Sequence, residues 1–321
     1  MALNEELAIR IYRDMIRSRA LDEQLIKDAR GGVMRTQWHS GLGQEAIVGP
    51  ICLLNPEDYA TYTHRGAYVW VAKGMDMKEI LAEFYGKATG CAKGKGGTHI
   101  TKPSLGIFGR AGSQGGHFVL AMGMGIAAKM KRKGQVVIMC FGDGCGTRGT
   151  LHESMNYASI NKLPILWLCE NNGYSMSVGV SKTWAVQDIA KIAPGYSMPG
   201  KTVDGNDVVA VTEAAQEFLG RARKGEGPSL LEMKTYRWRG HFEGHTTSYM
   251  PKEEVEAWKK KDPIPRFESH LVDRKILQDK DIAKIRAEAE AEVQEAQRFA
   301  ETSPDPSPGD GFADLYADSS T

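Results

Sequence analysis

The chain has 321 residues, 41 Lys and Arg against 40 Asp and Glu, and a formal net charge of +1 at pH 7. That length holds one large α/β unit or two domains with ample core, and the balanced charge argues against a nucleic-acid binder. Five cysteines with no Cys-x-x-Cys pair suggest neither a disulfide framework nor a zinc ribbon, and the absence of a signal-like start or a bilayer-spanning apolar run leads us to expect a cytoplasmic protein without a membrane partner.

Residues 4–30 place Leu7, Ile11, Met15, Ile16, Leu21, Leu25 and Ile26 at helical spacing, which predicts an amphipathic scaffold helix. From Gly31 to Gly116 glycines mix with His, Arg and Lys, notably in Thr61-Tyr-Thr-His-Arg-Gly66 and Lys93-Gly-Lys-Gly-Gly-Thr-His99, a texture suited to binding loops. Met122 to Lys133 reads as a short helix. Gln135-Val-Val-Ile-Met-Cys-Phe141 is then a continuous apolar run ending in Gly-Asp-Gly, as in a buried parallel strand. A helix over 151–161 and a second apolar run, Pro164 to Cys169, complete a βαβ unit. Its geometry puts Gly142-Asp-Gly144 and Asn171-Asn172 on one edge of a parallel sheet, the edge where open α/β sheets bind ligands. A βα pattern follows over 202–222. A strand over 228–236 leads into Arg237-Trp-Arg-Gly-His-Phe-Glu-Gly-His245, and a charge-rich helix covers 279–301. The expectation is an α/β unit over 1–302, with a mainly parallel sheet flanked by helices and helical extensions at both ends, followed by a Pro-rich tail over 303–321.

Two motifs mislead. Gly123-Met-Gly-Ile-Ala-Ala128 satisfies the dinucleotide pattern, but no strand precedes it. His241 and His245 are spaced like a helical zinc pair, but Gly244 between them speaks for a loop. His152 reads as a helix histidine satisfied locally, while His99 and His117 stay open between that reading and a place at the site. Met122, Met124 and Met130 read as core filling.

Asp143 and Asn172, a carboxylate and a carboxamide at neighbouring strand ends, suit Mg²⁺, which takes a few protein oxygens beside phosphate and water. Amides around Gly144 and Cys145, next to a helix start, suit phosphate. Gly142-Asp-Gly144, a helix, an apolar strand and Asn171-Asn172 together resemble the thiamine-diphosphate motif. With Gly43-Gln-Glu-Ala46, Thr63-His-Arg-Gly66, Gly94-Lys-Gly-Gly97, Leu151-His-Glu-Ser-Met-Asn156, Lys162-Leu-Pro164, Glu170-Asn-Asn-Gly-Tyr174 and Thr235-Tyr-Arg-Trp-Arg-Gly-His241, the chain resembles the E1 α-subunit of 2-oxoacid and acetoin dehydrogenase complexes. The Thr-His-Arg-Gly stretch is more similar to the acetoin branch.

That resemblance implies the thiamine-diphosphate-binding fold and two cofactors, thiamine diphosphate and Mg²⁺. Asp143, the Asn172 side chain and the Tyr174 backbone carbonyl would bind the metal, and Gly144 and Cys145 would offer amides to the diphosphate. Tyr62 and Arg65 fall in the segment of diphosphate contacts, and Gln114 and Gly116 in the stretch beside the aminopyrimidine. His241 matches a histidine near the diphosphate and the reacting thiazolium. The glutamate that activates the cofactor in this family belongs to a β-subunit, so the resemblance implies half an active site, an α2β2 heterotetramer, and acyl transfer to a lipoyl-bearing E2. Acetoin is the first expected substrate and pyruvate the second. A carboligase without a lipoyl acceptor and a non-catalytic subunit of the same fold remain alternatives. Three stretches depart from the family pattern: Cys145-Gly-Thr-Arg148, Gly112-Ser-Gln-Gly-Gly-His117 and Glu243-Gly-His245.

Overall fold

The computed structural model describes residues 3–34 and 36–313, so residues 314–321 of the predicted tail lie outside the description. Helix α1 (Glu5–Arg30) starts where Asn4 Oδ1 accepts the Leu7 N–H at 2.8 Å and stops at Gly31. Its apolar stripe, including Ile11, Met15, Leu21 and Leu25, is fully buried. The segment read as binding loops contains three short helices and a strand: α2 (Val48–Cys52), β1 (Tyr59–Ala60), α3 (Ala67–Ala72) and α4 (Met77–Phe84). Helix α5 (His117–Lys131) begins at His117 rather than Met122. Gly125 lies mid-helix where a Cβ would meet Ile165 Cδ1 at 2.9 Å, so this glycine of the dinucleotide-like pattern serves helix-to-sheet packing, while Gly123 faces open space.

Strand β2 (Val137–Gly142), α6 (Gly149–Ile160) and β3 (Ile165–Asn171) form the expected βαβ unit, with Gly142 opposite Glu170 in parallel register. A small hairpin, β4 (Tyr174–Ser175) and β5 (Val178–Gly179), follows, then β6 (Gly200–Asp204), α7 (Val208–Arg223), β7 (Ser229–Lys234), α8 (Lys252–Lys259), α9 (Pro263–Asp273) and α10 (Asp279–Thr302). Five strands make one parallel sheet in the order β1-β2-β3-β7-β6. The central strands β2 and β3 are apolar over most of their length because both faces are covered, whereas the edge strand β6 is polar and largely exposed. Val137, Met139, Phe141, Ile165, Trp167 and Cys169 pack toward α5 and α6. Ile138, Cys140, Leu166 and Leu168 join a larger core with α1, α3, α4, α7, α9 and α10.

The terminal helices close this second face. α10 packs on α4 and α1, and Arg17 of α1 grips both Glu292 oxygens at 2.7 Å. The start of the Pro-rich stretch continues along the same surface, where Pro304 O accepts the Ala88 N–H at 2.9 Å. Among the described residues no helix is long and apolar enough to cross a membrane.

One buried carboxylate shapes the glycine-rich loop that the sequence marked as a binding segment. Glu83, 1% exposed, accepts N–H bonds from Ala92, Gly94, Gly96 and Gly97 at 2.7 to 3.1 Å. The loop therefore wraps a residue of its own chain, and Gly90 sits where a Cβ would strike the Glu83 backbone. Replacing Glu83 with Ala strands four part-buried donors and should cost about 2–4 kcal/mol of unfolding free energy. Urea unfolding measures this loss; a loss under about 1 kcal/mol would remove Glu83 as the organiser of the loop.

Candidate active site

The C-terminal ends of β2 and β3 open onto a cavity of about 340 Å³, lined by residues from five separate stretches of chain. Asp143 follows β2 directly and is 1% exposed. Its Oδ1 accepts the Asn172 N–H at 3.3 Å, and its backbone carbonyl accepts the Trp184 indole N–H at 2.9 Å. Its Oδ2 is buried with no partner, and burial pushes the carboxyl up to about 6. Glu170, paired opposite Gly142, is also buried. Burial lifts it to about 7, although Thr63 Oγ1 donates to its Oε2 at 3.0 Å, and its Oε1 lacks a partner.

Asn172 is oriented from a distance. Its Nδ2 donates to Gln44 Oε1 at 3.3 Å, which leaves the carboxamide oxygen as the group on offer. Asp143 Oδ2 and Asn172 Oδ1 are thus hard oxygen donors on one strand edge, a set suited to a divalent cation with phosphate as co-ligand. Gly144 is required there, because a Cβ would lie 2.5 Å from Ser175 Oγ.

The remaining walls are basic. Arg65, 5% exposed, donates to the carbonyl oxygens of Ser40 and His241. Arg237 donates to Met176 O at 2.5 Å and to the Tyr249 hydroxyl at 2.6 Å. Both guanidiniums thus spend donors on neutral oxygens, and burial lowers both from the usual arginine value, Arg65 to about 10. His64 and His241 line the cavity beside them. Burial holds His241 down to about 4, helped by Arg65 and Arg237, so it is neutral at pH 7. Buried cations facing an unpartnered carboxylate fit an anionic ligand that arrives with its own metal.

The family profile described as "Dehydrogenase E1 component" matches residues 12–309. This chain belongs to the dehydrogenase E1 component family. The acetoin:2,6-dichlorophenolindophenol oxidoreductase α-subunit of Bacillus subtilis is 39% identical over 98% of this chain and 95% of its own length. Its counterpart in Cupriavidus necator is 37% identical over 98% and 96%. The pyruvate dehydrogenase E1 α-subunit of Porphyra purpurea is 32% identical over 96% and 92%.

Within this E1 chain, Arg65, Gln114, Asp143, Gly144, Cys145, Asn172, Tyr174 and His241 all line the cavity. Gln114 presents a carboxamide whose oxygen and nitrogen are both buried without partners. Tyr62 does not line it. Its ring packs edge-on against Trp70 at 5.1 Å, and its hydroxyl donates to Ile100 O at 2.6 Å; His64 occupies the cavity wall instead. Gly116 is the N-cap of α5 and also stands off the cavity. The Cys145 N–H is held by the turn itself, donating to Gly142 O at 3.2 Å, which corrects its expected place as a free amide. Arg148 and the Gly112–His117 stretch meet: Gly115, at φ +108°, lies where a Cβ would touch Arg148 Cδ at 2.5 Å. His241 and His245 lie in a loop, with ring centroids 6.4 Å apart. Gln44, His64, Glu170 and Arg237 went unassigned in sequence, although all four stand inside the quoted motifs.

His117 anchors the loop that carries Gln114. Its Nδ1 accepts the Gly115 N–H at 3.2 Å and its Nε2 faces Cys140 O at 3.3 Å, so the neutral ring satisfies both neighbours. Burial draws the imidazole down to about 4 from an ordinary 6.5. As pH falls, the unfolded chain takes up this proton first, so the stability present above the ordinary value is lost as pH drops toward the folded one. Relative to His117→Gln, the parent should lose about 3 kcal/mol between about pH 7 and about pH 4. Paired urea titrations read the difference; a difference constant with pH would contradict it.

Proposed function

We propose that this chain is the diphosphate-binding half of a thiamine-diphosphate and Mg²⁺ dependent E1 enzyme that cleaves acetoin, with pyruvate as the second candidate, and passes the acyl group to a lipoyl acceptor on an E2 partner. The observation that carries the reading is the unpartnered, buried Asp143 Oδ2 beside the Gln44-oriented Asn172, facing arginines that have no carboxylate of their own. Asp143, Asn172 and the Tyr174 backbone carbonyl would hold Mg²⁺, and the Gly144 turn with Arg65 would hold the diphosphate. When bound, thiamine diphosphate supplies a carbon nucleophile that adds to a carbonyl and accepts the electron pair released by the adjacent bond. His241 offers a neutral N–H at the cavity wall, and Gln114 a carboxamide on the side of the Gly112–His117 loop. The 39% and 37% relatives named for acetoin support acetoin as substrate. Five free cysteines suit the cytoplasm.

Among the described residues, Asp143 and Glu170 are the only carboxylates lining the cavity, and both sit at the ends of β2 and β3. The acid that would activate the cofactor must then come from a partner chain, a β-subunit in an α2β2 assembly. Gly112 and Gln114, which line the cavity, lie just before α5 in the chain, and α5 exposes Val119, Leu120 and Met130. The neighbouring α6 exposes Tyr157 and Ile160. These exposed apolar side chains on the pair α5 and α6 are the seat proposed for the β-subunit. Combined Leu120→Asp and Ile160→Asp should abolish co-purification with the β-subunit while the circular dichroism of the chain is unchanged; retained pairing would place the partner elsewhere.

The activity test uses the complex with its β-subunit, dichlorophenolindophenol or lipoamide as acceptor, and acetoin or pyruvate as donor. Acetoin-dependent reduction, lost in Asp143→Ala, supports the proposal. Gln44→Ala should raise the Mg²⁺ concentration for half-activity roughly 10- to 100-fold and leave the KM for the donor unchanged. Turnover with acetoin but no transfer to lipoamide would favour the carboligase alternative. A folded complex inert toward both donors would contradict the enzymatic reading.

A further inference from the structure

The loop that carries His241 has no helix or strand of its own. It runs from the end of β7 through residues 235–250, and its position depends on a turn near the other end of the chain. Asp22, fully packed on α1, accepts the Trp38 indole N–H at 2.7 Å and the Gly41 N–H at 2.6 Å, so one carboxylate brackets His39 and Ser40. From this pinned turn two bonds cross to the His241 loop, and Arg65 bridges the two segments. Trp38 O accepts the Glu243 N–H at 2.9 Å. His39 Nδ1 lies 2.7 Å from His241 O. Arg65, which donates to Ser40 O, reaches the same His241 carbonyl at 3.4 Å.

The chemistry of these contacts sets proton positions. A carbonyl only accepts, so the His39 proton is on Nδ1. Arginine only donates, so the 3.4 Å contact of Arg237 Nη1 with His241 Nδ1 leaves the His241 proton on Nε2. His39 is itself 7% exposed and absent from the cavity wall, yet its ring centroid stands 4.7 Å from that of His241 and 4.6 Å from that of His64. It thus touches both cavity histidines from behind.

We infer that His39 is a positioning residue: pinned by the Asp22 turn, it holds the His241 backbone and backs the His64 ring, so that His241 presents its Nε2–H to the cavity. The inference rests on the functional reading above for what His241 serves, but the His39 tie is a property of this chain alone. Loss of the bond frees a loop without secondary structure, and a misplacement of about 1 Å at a reacting centre costs on the order of 100-fold in rate. The asparagine carboxamide puts an N–H at about the reach of Nδ1, whereas leucine fills the space and donates nothing.

The test compares His39→Leu and His39→Asn in the chain co-purified with its β-subunit, by two readouts. Tryptic cleavage after Arg239, which is in the loop, is followed without cofactor or substrate. It should accelerate at least about tenfold in His39→Leu and stay near the parent rate in His39→Asn. With substrate, kcat should fall roughly 30-fold or more in His39→Leu with less than a threefold change in KM, and His39→Asn should restore it to within about fivefold. Parent-like cleavage and kcat in His39→Leu would overturn the inference. So would equal losses in both variants, the mark of a residue that only fills space. If the parent complex turns over no donor, the functional reading fails, and the tryptic comparison alone decides the role of His39.

Discussion

Two carboxylates, Asp143 and Glu170, are held on neighbouring parallel strand ends where water scarcely reaches, and the arrangement of the site follows from that constraint. Each keeps one oxygen without a partner, and burial raises both above the usual carboxylate range. An uncompensated pair of buried acids is costly. The fold meets that cost with Thr63, Tyr68 and the Asn172 amide on one side and with Arg65 and Arg237 on the other. What is left over, two unpartnered acid oxygens and cationic walls, suits a metal paired with a phosphate anion.

The same constraint accounts for the helical framework. Arg65 and His241 come from segments far apart in sequence, and the turn that joins them is anchored on α1 through Asp22. α1 is in turn clamped by α10 through Arg17 and Glu292. The terminal helices therefore lie at the back of the site, and their packing sets the geometry of its front wall. On the opposite face of the sheet, α5 and α6 expose Val119, Leu120, Met130, Tyr157 and Ile160.

Much of this was legible in the sequence. The β2 and β3 runs read clearly because central strands buried on both faces need apolar residues over most of their length, and the polar residues that follow each run, Asp143, Glu170 and Asn172, reach the cavity. The start of α5 was read late because the Gly-rich Gly112–Gly116 stretch disguises a helix whose first turn is capped by Gly116. Tyr62 falls in the expected segment of diphosphate contacts, but its hydroxyl finds Ile100 O inside a cluster of aromatic rings and His64 lines the cavity instead. Gln44 and His39 act across 128 and 202 residues of chain. Contacts of that kind leave no periodic signal; only the proximity imposed by the folded sheet edge reveals them.

The central claim is that the β2 and β3 edge is a cation and diphosphate site completed by a second chain. Isothermal titration of thiamine diphosphate into the complex with its β-subunit, with and without Mg²⁺, tests it most directly. Saturable binding that requires Mg²⁺ and disappears in Asp143→Ala is the predicted result. Binding that persists unchanged in Asp143→Ala, or no binding by a well-folded complex, would contradict the account.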